Sequence, residues 1–370
     1  MNYQSTKNQH YVPKCLLKNF CYLNKNKKKI NIFDVVNRTV RYNQAIKNVF
    51  SQNYFYGKDT SIDDSVEAIL ANKIEDHAST IIDEIIQGNL SILDSPENKI
   101  HLLKFVSTLI HRTPEAKEGM LSFIQTGFQS FSKELLRLNN FPSEARPPIV
   151  SFKDTDVFAA FSTLQGYYGT ILLTDLEFHL IENQTELDFV ISDNPAFTYN
   201  YFYKNLEHPG VASLIANGYQ IFLPLSSRHT LCLYDSKVYT YKPKTKIIIS
   251  SNLNDIRLLN KFQIMNSKSI IGFNDPKSEH HITEMYQKFG LTNIYTYKSN
   301  EYEVERKNDE IRTRHITYIE QNKLNQMPSF INIRKKAKKY SQEYSIRNYE
   351  LLNLFEQSMK KENHDSIIPL

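Results

Sequence analysis

The sequence predicts an α+β fold: a helical first half packed on a mainly antiparallel sheet from the second half, with a C-terminal helical extension. Three observations carry this. Between Asp63 and Gly166 apolar residues recur at the 3.6-residue spacing of amphipathic helices. From Gly169 onward the apolar runs are short, rich in β-branched and aromatic residues, and bounded by turn residues. The two kinds of segment follow one another and do not alternate, which argues against a βαβ chain. Residues 1–275 are expected to form a single domain, and 276–370 a polar connector ending in a basic helix.

Each element has a local reason. Pro13 suits the first turn of a short helix carrying Leu16, Leu17 and Phe20 on one face. Residues 30–36 and 39–42 flank Asn37-Arg38 and read as a β-hairpin. A helix is expected over 63–87, with Val66, Ile69, Leu70, Ile74, Ala78, Ile81, Ile82 and Ile85 as its buried stripe. A second runs from Ser95, a candidate N-cap before Pro96, to Arg112, where Thr113-Pro114 stops it. Further helices are expected over 115–139 and 154–166. Strands follow at 178–181, 187–191, 219–223, 230–234 and 270–273, with a helix over 254–268 before the last. A C-terminal helix is expected from Arg334 to about Glu362.

Composition bounds the function. With 370 residues, 41% hydrophobic and 23% charged, the chain can bury a large core and is not a disordered polymer. A net charge of +5 permits a nucleic-acid partner without requiring one. The opening residues are polar where a secretory signal needs an apolar core, and no window is apolar enough to span a bilayer. Cys15, Cys21 and Cys232 form neither a C-x-x-C nor a disulfide framework. A reduced, cytoplasmic location is therefore expected. The sequence lacks G-x-x-x-x-G-K-[ST], G-x-G-x-x-G, H-E-x-x-H and G-x-S-x-G, so ATPase, dinucleotide-dependent, zincin and α/β-hydrolase readings lose their main support.

Four constellations could carry chemistry. Gln9-His10-Tyr11-Val12-Pro13 puts an imidazole just ahead of a helix start, where a neutral ring can accept a proton. Ser192-Asp193-Asn194-Pro195 puts a carboxylate at a strand end, as a base or metal ligand or simply as turn chemistry. Glu67 and Glu75 lie two helical turns apart, roughly 12 Å at the helical rise, too far to share a proton or metal. Either one beside the core needs a partner, and Arg112 is the natural one. Last, Arg334, Lys335, Lys336, Lys338 and Lys339 form a basic run interleaved with tyrosines, which reads as a solvated face or as a contact for nucleic acid or a protein.

Taken in order, Gln9-His10-Tyr11-Val12-Pro13, Asn53-Tyr54-Phe55-Tyr56, Glu67 with Glu75, Arg112-Thr113-Pro114, Ser192-Asp193-Asn194-Pro195 and Leu223-Pro224-Leu225-Ser226 resemble the bacterial domain-of-unknown-function family 4238, over about 8–273. The chain departs from it in offering Phe178 where a tryptophan is common, and Ser227 where the Leu-Ser element is usually followed by proline. The resemblance implies no established activity; its associations suggest a stress or phage-defence effector. It raises His10, Arg112, Asp193 and Glu67 together as a catalytic set, flanked by Gln9, Tyr11, Ser192 and Asn194 as substrate contacts. Asp193 would be a base or the ligand of a divalent metal, His10 an acid or base, and Arg112 a clamp for an anion. Such a set suits a hydrolase or nuclease-like enzyme acting on a phosphate-containing substrate. The alternative is a non-catalytic binding or sensing module held together by the same residues.

Overall fold

The computed structural model describes residues 7–57, 69–142, 145–148, 151–292, 294–307 and 310–365. Strand β1 (Asn8–His10) leads through Pro13 into the short helix α1 (Lys14–Leu17). Strands β2 (Tyr22–Asn24), β3 (Lys27–Asp34) and β4 (Thr39–Gln44) follow, and β5 (Ser51–Asn53) returns to pair antiparallel with β1. The expected hairpin is β3 with β4. Asp34 accepts from the Asn37 amide, and Arg38 takes the left-handed conformation that closes the turn.

A π-helical turn over Ile69–Glu75 runs into α2 (Asp76–Ile86). The remainder of the helix expected over 63–87 lies partly outside the described residues. Helix α3 (Pro96–His111) begins on Ser95, whose hydroxyl accepts from the Asn98 amide. Arg112 ends α3, and Thr113 at once caps α4 (Pro114–Leu138) by accepting from Ala116. Helix α5 (Val157–Gly169) packs back across α3. There Gly166 lets the helices touch: a Cβ at that position would sit 2.8 Å from the Ser107 carbonyl oxygen.

The second half builds the sheets from β6 (Glu177–Asn183), β7 (Ile191–Ser192), β8 (Phe197–Tyr199), β9 (Gln220–Pro224), β10 (His229–Tyr234), β11 (Tyr239–Tyr241) and β12 (Ile247–Ser250). The main sheet has the order β12-β6-β10-β9-β8, antiparallel except between β12 and β6. Both its faces are covered, which explains why its strands read as continuous apolar runs. Leu180, Leu231, Leu233, Ile221 and Leu223 join the core under α2, α3 and α5. Ile181, Cys232 and Phe222 face a second core with helix α6 (Leu253–Met265). Strand β13 (Ile270–Phe273) leaves α6 to join β3 and β7 in the other sheet, which α7 (Ser278–Phe289) backs. The fold is α+β, as expected.

Two expected elements differ. Residues 187–190 form no strand, and only Ile191–Ser192 pairs. Side chains of α6 replace the missing ladder: Asn260 accepts from Val190 and donates to the Asp188 carbonyl, and Gln263 accepts from the Ser192 amide. The long C-terminal helix is also interrupted. After the hairpin of β14 (Tyr295–Lys307) and β15 (Glu310–Gln321), β16 (Ile331–Ile333) pairs with β11. The chain then forms α8 (Lys335–Lys338), breaks, and resumes as α9 (Tyr349–Asp365). The break is where the chain docks: Arg347, 6% exposed, pairs with Asp175 at 2.9 Å and donates to the carbonyls of Leu214 and Leu172. Helical backbone would not let one arginine reach all of these. No described helix is long and apolar enough to cross a membrane.

His179 on β6 is 5% exposed, stacks on Tyr241 at 5.0 Å, and has no hydrogen-bond partner for either ring nitrogen. Burial and nearby Lys246 push its pKa down to about 4, from 6.5 when unfolded. The folded state therefore refuses a proton that the unfolded chain accepts, and stability falls as pH drops from 6.5 towards 4. His179→Phe is expected to be neutral or stabilising at pH 7 and to flatten that acid slope by on the order of 2 kcal/mol. Urea unfolding between pH 7 and 4 checks this, and an unchanged slope would refute it.

Candidate functional site

The motifs converge, but at their centre they form a sealed network. Arg112, 2% exposed, donates from Nη1 to Glu75 Oε1 at 2.7 Å, from Nε to the Tyr56 hydroxyl at 3.0 Å, and from Nη2 to the His10 carbonyl at 2.5 Å. The pair with Glu75 is the one the sequence suggested; Glu67 lies outside the described residues. Gln9 is buried too, its Oε1 accepting from the Tyr56 amide at 2.7 Å. His10 meets the Ile46 carbonyl through Nε2 at 3.1 Å, and burial holds its pKa below the usual value. Tyr11 packs on Phe55, its hydroxyl raised by burial and by the nearby Asp193.

Asp193 is equally saturated. Its carboxylate accepts from the Lys268 amide at 2.9 Å and from the amide and hydroxyl of Ser269, both at 2.6 Å. It is 1% exposed and fastens the turn between α6 and β13. Burial raises its pKa against the opposing pull of those donors. A carboxylate whose oxygens already accept three donors does not suit a metal ligand. Among the described residues no group of three or more His, Cys, Asp or Glu side chains could hold an ion. Ser192 is likewise occupied, bonded to Gln263 at 2.9 Å. The thiols are poor nucleophiles, since burial pushes Cys15 up to about 12 and Cys21 up to about 11.

The accessible space lies one step away. A cleft of about 300 Å³ opens between the first turns of α4, helix α5, strand β8 and the β14–β15 hairpin. His111, Thr113, Glu115, Asn194, Thr198 and Tyr295 supply most of its polar lining. A second cavity of about 290 Å³ adjoins it, sharing Glu115 and Tyr295 and adding Lys268. Of the described residues proposed from sequence, Asn194 alone lines the cleft. Its Nδ2 donates to Glu115 Oε2 at 2.9 Å, tying the Ser192-Asp193-Asn194-Pro195 turn to the helix that starts at Arg112-Thr113-Pro114. Lys268 approaches the other Glu115 oxygen at 3.4 Å.

Burial raises the Glu115 pKa, with Lys268 and Asn194 opposing, and burial lowers that of His111. His111 Nδ1 lies 2.8 Å from the Ser107 carbonyl and so carries the proton, which makes Nε2 the acceptor. Sequence reasoning missed His111, Glu115, Thr198 and Tyr295. Glu115 reads as an ordinary first-turn acid, and nothing local shows that the second-half hairpin roofs it.

If the central network is scaffold, its loss is read in stability. Arg112→Ala is expected to cost about 3–5 kcal/mol by stranding Glu75 and the His10 carbonyl. Asp193→Asn is expected to cost about 2 kcal/mol, since an amide NH₂ cannot accept from Lys268 or Ser269. Denaturant unfolding at pH 7 measures both, and unchanged midpoints would overturn the assignment.

A family model described as "Protein of unknown function (DUF4238)" matches residues 8–277. No curated protein and no solved structure matches the chain. The match spans both halves of the network and the cleft wall from Thr113 to Asn266, and on that coverage the chain belongs to the DUF4238 family.

Proposed function

We propose that the protein is a binding module that takes a small polar molecule into the cleft beside α4. The observation that supports this most is the division of labour between neighbouring residues. His10, Arg112 and Asp193 are closed off and bonded to protein, while Glu115, Asn194 and His111 line open space. The volume sits at the small end of the roughly 300–1,000 Å³ typical of ligand sites. The lining favours an uncharged or cationic ligand rich in hydroxyl or amide groups. His111 Nε2 accepts, Gln165 can do both, and the one carboxylate is partly offset by Lys268.

A phosphate-directed hydrolase or nuclease-like activity is the second reading, now centred on Glu115 and His111 in place of His10 and Asp193. In its favour, burial raises the Glu115 carboxyl towards the neutral range in which a general acid can still hold its proton. Lys268 would meet the anion. The exposed Lys335, Lys336, Lys338 and Lys339 remain the surface proposed for a nucleic-acid or protein partner; Arg334 is partly committed to the Ser236 and Tyr239 carbonyls.

Thermal-shift screening with polyols, amides, amines, nucleotides and phosphodiesters separates these readings. A bound ligand at about 100 times its Kd stabilises by about 2.7 kcal/mol. Under the first reading an uncharged or cationic compound raises Tm, and Ala212→Trp, which fills the cleft, abolishes the shift. Turnover of a phosphodiester that is lost in His111→Ala supports the second. A shift that survives Ala212→Trp would sink the cleft assignment.

A further inference from the structure

Helix α4 is 25 residues long, yet Gly119 is its one buried residue. Beyond the cleft it carries apolar residues that the other described residues leave largely exposed, although Phe128 meets Phe152 at 6.2 Å between ring centroids. Leu121, Ile124, Phe128, Phe131, Leu135 and Leu138 recur at alternating spacings of three and four. On a helix this makes one continuous seam, the pattern by which two helices pack together. Phe131 is 61% and Leu138 57% exposed, and Phe123, Phe128, Leu135 and Phe141 are about half exposed. The seam faces away from Gly119 and hence away from the body of the protein.

We propose that this seam is a self-association surface whose occupant is the same helix of a second copy of this chain. Two arguments select that occupant. The first is area. The exposed parts of Phe128, Phe131, Leu135 and Leu138 amount to about 400 Å² per copy, taking ~200 Å² for a whole large side chain. The half-exposed Val157 and Phe161, one turn apart on neighbouring α5, bring this to about 600 Å², the upper end of the ~300–600 Å² patches found on monomers, against the ~800 Å² each partner contributes to a standard interface.

The second argument is charge. A two-fold contact must be complementary to itself, so charges beside the seam would meet their own kind. The flanking positions are Gln125, Gly127 and Ser132, all uncharged, and Glu134 is bonded within its own helix to Arg137 at 2.6 Å. Lys133 falls on the opposite side of the helix. A helix that lay on a membrane would instead carry lysine and arginine along its polar face. Here that face holds Thr126, Gln129 and Ser130 beside Lys133 and Arg137, and Arg137 is bonded to Glu134. The surface does not depend on what the cleft binds.

Sedimentation equilibrium and light scattering on the full chain, over about a hundredfold range of concentration, test the proposal. The expected result is a species of twice the 43.3 kDa chain mass. Phe128→Glu with Phe131→Glu is expected to return it to the monomer with Tm unchanged, whereas Leu291→Glu, on another exposed surface, keeps the dimer. Amide exchange over 121–138 in the unmutated protein adds a readout that needs no variant: protection should rise with concentration. A wild-type monomer throughout, a dimer that survives the double substitution, or binding of the helix to anionic phosphatidylglycerol vesicles by a monomeric protein would each overturn it.

Discussion

One buried guanidinium organises the first half of this protein. Arg112 sits where α3 ends and α4 begins, and its donors reach β1, the loop after β5 and the helix that starts at Ile69. A guanidinium cannot shed its charge in a protein interior, so every partner must be present together. The cost of misplacing any one of them fixes where the N-terminal segment lies. Such a cluster adds little net stability over an apolar core of the same volume. Its contribution is to exclude other arrangements.

Asp193 plays the matching part in the second half. Its carboxylate collects the amides at the turn into β13, and this strand carries the chain from the main sheet's helix into the other sheet. The two buried charges are joined through short links. Tyr11, adjacent to His10, lies within the field of Asp193, and Asn194 reaches across to Glu115, three residues past Arg112. The cleft thus forms where the two rigid corners face each other. Its walls are fixed by groups that do not themselves touch a ligand, which is the arrangement a preorganised site needs.

The fold was largely legible because its signals are local. Ser95-Pro96 and Thr113-Pro114 mark helix starts whichever partners lie beyond them, and the Asn37-Arg38 turn is closed by Asp34 three residues earlier, which accepts from the Asn37 amide. What failed depended on distant residues. The stretch at 187–191 has strand composition, but Val190 and Asp188 bond to the Asn260 side chain on α6, some seventy residues on, and the Phe189 amide to the Ser227 carbonyl. The basic C-terminal helix breaks because Arg347 finds Asp175 and a ring of carbonyls. The candidate site was legible only in part, for the same reason. Motif residues identify what the fold must hold in place, and here they are mostly consumed in holding it. Glu115 and His111 differ from ordinary helix-end residues only in being half-buried beside the cleft, a property that belongs to the assembled fold.

That distinction bears on how a family signature should be read. Polar residues sealed in the core and polar residues lining a ligand site can produce the same pattern of Gln, His, Arg and Asp among apolar neighbours. Accessibility separates them, because chemistry on a small molecule needs a valence that the protein has not already filled. His111 keeps an acceptor nitrogen and borders open space, whereas Asp193 accepts three donors and is closed off. Helix α4 connects this local contrast to the whole molecule. Its first turns wall the cleft, and its outer turns carry an apolar seam that the other described residues leave largely exposed.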